Sequence, residues 1–102
     1  MNTTVTWLTY DFTVYTKEAN WNNTGGIYIF TGKNLQCLWV PLYIGKADNF
    51  QSRLVSHERW DESIRAGATH VHARGVAQEA TREAIEAELI RSYQPKLNTL
   101  LK

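Results

Sequence analysis

A chain of 102 residues supports one hydrophobic core, because two half-sized cores would each be marginal. Its 43% hydrophobic and 21% charged residues exclude a disordered chain, and a net charge of +1 means that any nucleic-acid surface must come from local placement rather than bulk charge. The single cysteine, Cys37, excludes an internal disulfide framework, no apolar run reaches the roughly 18 residues of a membrane span, and the N-terminus lacks a basic-then-apolar secretory signal, so the expectation is a soluble cytoplasmic or otherwise intracellular protein without membrane association.

Residues 1–24 are rich in Thr, Asn and aromatics, and the alternation at Val5 and Trp7, then Phe12 and Val14, predicts one or two short strands in an N-terminal extension. Asn22-Asn23-Thr24-Gly25-Gly26 is turn chemistry and marks the start of the main body, residues 25–102. Ile27 to Thr31 and Leu42 to Ile44 predict two strands, with Gly32-Lys33-Asn34 as the turn of an antiparallel hairpin. Pro41 cannot donate to a ladder and belongs at an edge, a bulge or a strand start, and Cys37 beside it reads as a small core residue. If Ile27, Ile29, Leu42 and Ile44 share one face, Tyr28 and Tyr43 project together from the other.

Asp48 with Gln51 resembles a capping box, and Phe50, Leu54 and His57 recur at helical spacing, predicting a helix from after Asp48 to near Trp60. A short helix or turn follows through Ala66-Gly67, a third strand from Thr69 to Val76, and a long helix from about Gln78 to Tyr93, stopped by Pro95. The resulting expectation is an α+β domain: a small three-stranded, mainly antiparallel sheet with flanking helices in the order β-β-α-β-α.

The two helices carry the unusual polar residues. At 100° per residue Glu86 falls inside the apolar arc of the last helix, where a carboxylate must be paired, protonated or coordinating a cation. A salt bridge to Arg82, one turn earlier, is the structural alternative. Arg53 and His57, four positions apart, either address one ligand or are a snorkelling Arg beside an ordinary hydrogen-bonded His. Gly45-Lys46 sits where a strand feeds a helix, a plausible anion site. His70, His72 and Arg74 share one strand face, as contacts to a substrate backbone or as a polar sheet face; two His at that spacing lack a convincing third zinc ligand. Four tryptophans could stack on bases or pack in the core.

Gly26-Ile27-Tyr28 followed by Tyr43-Ile44-Gly45 are the two name motifs of the GIY-YIG nuclease family, which this chain resembles over roughly residues 25–100. Arg53 lies ten residues after Tyr43, His57 four further on, and Glu86 twelve before Asn98, matching the family's arginine, the histidine of several branches, its metal-binding glutamate and its asparagine. The run from Glu86 through Tyr93-Gln94-Pro95-Lys96-Leu97 to Asn98 is similar to the excision-repair branch, where a tyrosine usually stands in place of His57; at that position the chain matches the restriction and homing branches.

The resemblance implies a metal-dependent endonuclease that hydrolyses DNA, duplex or branched, to 5′-phosphate and 3′-hydroxyl ends. It implies one Mg²⁺ or Mn²⁺ held by Glu86, Arg53 on the phosphate, and Tyr28 as general base for water. His57 or Lys46 would ease tyrosinate formation, Tyr43 would orient the water or phosphate, and Asn98 would anchor the C-terminal tail. His70, His72, Arg74 and Lys96 are candidates for contacting the substrate backbone. With no appended DNA-reading domain and near-zero charge, a protein partner is a possible source of specificity. The alternatives are a non-catalytic nucleic-acid or protein binding module on the same fold, and an enzyme acting on another phosphodiester such as RNA.

Overall fold

In the computed structural model, which describes residues 3–100, one strand is buried on both faces: of β3 (Gly26–Lys33) only Lys33 is exposed. The rest of the sheet is β1 (Thr4–Trp7), β2 (Tyr10–Thr16), β4 (Trp39–Ala47) and β5 (His70–Gly75), all paired antiparallel in the order β1-β2-β5-β3-β4. Four helices complete the chain: α1 (Phe50–Leu54), α2 (Trp60–Arg65), α3 (Glu79–Tyr93) and α4 (Lys96–Leu100). Among the described residues no helix is long and apolar enough to cross a membrane.

Alternation along β3 divides the core into two layers. Tyr28 and Phe30 pack with Leu42, Phe50, Val71 and Ala73, under Leu54 of α1 and Trp60 of α2. Ile27 and Ile29 face the other way and pack with Ile44, Phe12, and Ile85 and Leu89 of α3. The α3 boundaries agree with the apolar periodicity, and Gln94 closes the helix in a left-handed conformation, φ 44°, just before Pro95.

The sheet has five strands rather than three, because the N-terminal segment joins the same sheet beside β5. Trp7 Nε1 donates to His72 Nδ1 at 2.9 Å, Tyr10 Oη donates to Glu88 Oε1 at 2.7 Å, and the Leu8 backbone N–H donates to Tyr93 Oη at 2.9 Å. All three bonds join residues more than 60 positions apart, which no local pattern records.

Two local expectations change, and the one for Pro41 holds. Cys37 is exposed in the β3–β4 turn, where φ of 63° lets it close a loop whose Asn34 Oδ1 accepts from the N–H groups of Gln36 and Leu38. The first helix is capped by Asn49, not Asp48, and ends at Leu54, so His57 lies in the following turn and not on a helix face. Pro41 sits on edge strand β4 opposite Thr31, where the register shifts, as its missing N–H requires.

His72, fully buried between Trp7 and Trp39, gives the fold a pH signature. Burial, with His70 second, holds its pKa down at about 4, against 6.5 for a free imidazole. Between those values the unfolded chain binds the extra proton, so stability falls as pH drops from 6.5 toward 4 and levels off below. The loss at pH 5 from this residue should be about 2 kcal/mol. Urea unfolding at neutral and mildly acid pH measures it, and His72→Gln should remove that part of the dependence.

Candidate active site

Antiparallel register puts both motif tyrosines on one sheet face. Tyr28 is opposite Gly45 and Phe30 is opposite Tyr43, and directly opposed residues share a face. The two tyrosine rings lie 6.4 Å apart between centroids. A Cβ on Gly45 would run into the ring and hydroxyl of Tyr28, so the last glycine of its motif is set by close approach. Gly26 likewise abuts the Arg74 carbonyl and the Phe50 ring, which lets α1 lie directly against β3.

Around Tyr28 the chain builds a buried polar pair. Tyr28 Oη and His57 Nε2 are 2.6 Å apart, and the Arg59 backbone N–H donates to His57 Nδ1 at 3.0 Å. Burial first, then Arg53 and Arg59, depresses the His57 pKa to about 4, so its ring is neutral at pH 7. A neutral ring that accepts at Nδ1 carries its proton on Nε2, so His57 donates to the Tyr28 oxygen. Burial raises the Tyr28 hydroxyl well above its ordinary value, with nearby Arg53 opposing. Of the two groups expected to ease tyrosinate formation, His57 is the one that reaches the Tyr28 oxygen, as a neutral donor and not as a cation. His57 supplies a neutral hydrogen bond, and the Lys46 ammonium is engaged by Glu83 at 3.1 Å.

Arg53, on α1, points both terminal guanidinium nitrogens at one carboxylate: Nη1 to Glu58 Oε2 at 2.6 Å and Nη2 to Glu58 Oε1 at 2.9 Å. Glu58 was not legible as a site residue. It stands five positions from Arg53, outside the i, i+3 and i, i+4 pairings of a helix, and meets it only because residues 55–59 turn.

Glu86 approaches from α3. Its carboxyl is half-buried and raised by that burial, while the charge and backbone N–H of Lys46 oppose the shift. The Arg82 salt bridge is not formed: Arg82 instead binds Asp48 Oδ1 and the Val76 carbonyl, each at 3.3 Å. Glu86 and Arg53 meet electrostatically at Tyr43, whose hydroxyl is raised first by burial, lowered by Arg53 and raised by Glu58 and Glu86. Asn98, on α4, clamps the edge strand between them. Its Oδ1 accepts from the Ile44 N–H at 2.7 Å and its Nδ2 donates to the Ile44 carbonyl at 2.9 Å.

Tyr28, Tyr43, Arg53 and His57 thus converge on one face near the end of β4, with Lys46 and Glu86 at the same strand end. His70, His72 and Arg74 do not join them. His72 and Arg74 pair opposite Ile29 and Ile27, on the face turned away from Tyr28. His72 is fully buried and cannot touch a substrate backbone, while Arg74 donates to the Asp11 carbonyl and lies over the Tyr10 ring. Lys96 is exposed on α4. Trp7, Trp39 and Trp60 pack against His72, His70 and Phe30, whereas Trp21 lines a cavity of about 340 Å³ with Tyr15, Asn22 and Phe50. Among the described residues no group of three or more His, Cys, Asp or Glu could hold a metal; Glu83, three residues before Glu86 on α3, is the neighbouring carboxylate that bears on it.

No protein-family model matches the chain. It is similar to UvrABC system protein C of Thermotoga maritima, 37% identical over 81 residues, which is 76% of this chain and 14% of that protein. The corresponding protein of Deinococcus radiodurans is 34% identical over 84 residues, 78% of this chain and 12% of that protein. The chain therefore spans only about one seventh of the length of these curated relatives. Among solved structures it resembles the GIY-YIG N-terminal endonuclease domain of UvrC from Thermotoga maritima bound to its catalytic divalent cation, magnesium. The TM-score is 0.61 at 32% identity, covering 74% of this chain and 84% of that one. A point variant of that domain, also cation-bound, gives a TM-score of 0.59 at 34% identity over 74% and 83% of the two chains.

The His57 assignment is measurable. Long-range ¹H–¹⁵N correlation spectra at neutral pH should show an Nε2–H tautomer with an unprotonated Nδ1, and titration of this ring should fall near 4 rather than 6.5. A ring protonated at Nδ1 would mean that Tyr28 donates to His57 instead.

Proposed function

The chain belongs to the GIY-YIG endonuclease family, and we propose that it is a divalent-metal-dependent endonuclease that hydrolyses DNA to 5′-phosphate and 3′-hydroxyl ends. One observation carries the reading: both motif tyrosines share a sheet face, 6.4 Å apart between ring centroids, and the Tyr43 hydroxyl feels both Arg53 and Glu86. An anion binder and a candidate cation binder thus act on a single hydroxyl, as phosphoryl chemistry requires. The nuclease unit is residues 25–102, with residues 1–24 as its extension.

Glu86 suits a hard divalent cation. Its carboxylate is half-buried, discouraged from ionising by that burial, and not neutralised by Arg82. A lone carboxylate leaves most of an ion's positions to water, which fits one Mg²⁺ or Mn²⁺ and not the four-ligand set of structural zinc. When bound, such an ion supplies positive charge to the phosphate and to the departing 3′ oxygen.

The chain's own groups account for the rest. Arg53 grips the phosphate with two parallel N–H···O bonds and draws charge from its oxygens as the pentacoordinate arrangement forms. Tyr28 holds the attacking water through its hydroxyl oxygen. Tyr28 acts as tyrosinate, its own hydroxyl proton having passed to solvent first. The His57 Nε2–H and the Arg53 charge favour that form against burial, and it takes the water's proton, returning to the neutral phenol, as the new P–O bond forms. Tyr43 fixes the water or the phosphate by hydrogen bonding. Asn98 keeps the backbone at Ile44 rigid beneath them.

The net charge of +1 gives little nonspecific attraction, so a protein partner supplies recognition, with duplex or branched DNA as substrate inside the cell and DNA repair as the setting.

Supercoiled plasmid nicking in Mg²⁺ or Mn²⁺ tests the reading. Glu86→Gln should abolish cleavage and leave the metal-free fold at least as stable, because it removes an uncomfortable buried charge. Turnover retained at saturating metal would sink the assignment, and silence from the wild type as well would favour a binding module. Arg53→Lys should lose on the order of 10²–10³ in rate, nearly as much as Arg53→Ala, because an ammonium cannot reproduce the fork.

A further inference from the structure

The phosphate-binding fork proposed for Arg53 is already filled. Its two terminal nitrogens meet the two oxygens of Glu58 at 2.6 and 2.9 Å, the same two-point grip a guanidinium uses on a phosphodiester. One fork cannot hold both anions at once. We propose that Glu58 is a built-in surrogate for the scissile phosphate, seated on Arg53 in the free protein and exchanged for that phosphate when DNA docks, which makes it a specificity-determining residue. The inference rests on the reading of Arg53 as the phosphate binder.

The surroundings of Glu58 suit an exchangeable group. It lies in the turn between α1 and α2, and its side chain is 59% exposed against 36% for Arg53, so little packing resists its departure. Among the described residues no second cation holds it: His57 Nδ1, 4.0 Å away, is neutral and occupied by the Arg59 N–H, and the Arg59 guanidinium pairs with Glu62 at 3.1 Å. The Arg53 guanidinium pulls the Glu58 carboxyl down to about 2, so the surrogate is anionic at neutral pH.

The exchange has a consequence for selectivity. A phosphodiester and a carboxylate each carry one negative charge, so swapping them adds no net ion pair at Arg53. A backbone phosphate that only brushes the site gains little from displacing Glu58. A phosphate that also meets a divalent cation held by Glu86 would gain that additional contact, and Arg53 closes on it. The surrogate thereby withholds Arg53 from nonspecific DNA and keeps it from drawing the chain onto any passing duplex.

Anisotropy titrations of a labelled duplex across salt concentrations decide the matter, with Glu86→Gln as the background so that nothing is cut. Adding Glu58→Gln should tighten binding roughly three- to tenfold and steepen the slope of log K against log salt by about one, the contribution of one newly available cation. Glu62→Gln makes the same change in net charge on the neighbouring Arg59 pair and should move affinity less than about twofold. Adding Arg53→Ala to Glu58→Gln should cancel the gain. In the cleaving protein Glu58→Gln should lower KM while kcat holds.

Unchanged affinity, or a fall in kcat at constant KM, would overturn the proposal and make Glu58 a brace that orients Arg53. If the gain survives Arg53→Ala, Arg53 does not hold phosphate and the underlying assignment fails. If no gain occurs while Arg53→Lys still abolishes cleavage, only the surrogate is lost.

Discussion

The hydrogen bond between Tyr28 and His57 is the constraint on which the site is built. It is 2.6 Å long, both residues are buried, and leaving either polar group unpaired at that depth would be unfavourable by about 1–3 kcal/mol. The bond requires the Tyr28 ring to lie across β4 at Gly45, where no side chain fits. It also takes His57 out of the helix that carries Arg53, since α1 ends at Leu54 and the next residues turn. That turn brings Glu58 onto Arg53 and the Arg59 N–H onto His57. A sterically demanding tyrosine thus arranges the glycine, the histidine, the arginine and a carboxylate around itself.

Charge is distributed across the edge of the sheet rather than across one pocket. Arg53 approaches from the tyrosine face, Glu86 from α3 on the opposite layer, and the end of β4 lies between them. An edge strand is suited to this because one side of its backbone is open. Here part of that side is taken by Asn98, which occupies both polar groups of Ile44 and prevents the strand from recruiting another chain at that point. The same clamp holds α4 and the end of β4 in fixed relation, so Tyr43 keeps one position between the two charges.

The N-terminal strands act at the other side of the sheet. They convert β5 from an edge into an interior strand and enclose His72 between Trp7 and Trp39. This explains why two histidines and an arginine on one strand, a pattern that suggests ligand binding in isolation, serve the core and its rim. Their partners come from β1, β2 and β4, elements remote in the chain from β5.

The sequence by itself determined the α+β class, the β3–β4 hairpin and the extent of α3, because each follows from periodicity, turn chemistry or strand alternation within a few residues. The shared face of Tyr28 and Tyr43 waited on the strand register, and Leu42, expected beside Ile44, packs on the tyrosine side instead. It also marked Glu86, Arg53 and His57 as polar groups in awkward places, and ordered spacing tied them to a nuclease family. Only the tertiary structure decided what those groups pair with. Arg82 lies one turn from Glu86 yet binds Asp48, 34 positions away, and Arg53 holds Glu58 through a turn that helical periodicity does not anticipate. The protonation of His57 and the burial of His72 were likewise undetermined, since desolvation depends on all the chain that covers a group. Local patterns are short-ranged, whereas burial and ion pairing are set by whatever the folded chain brings alongside.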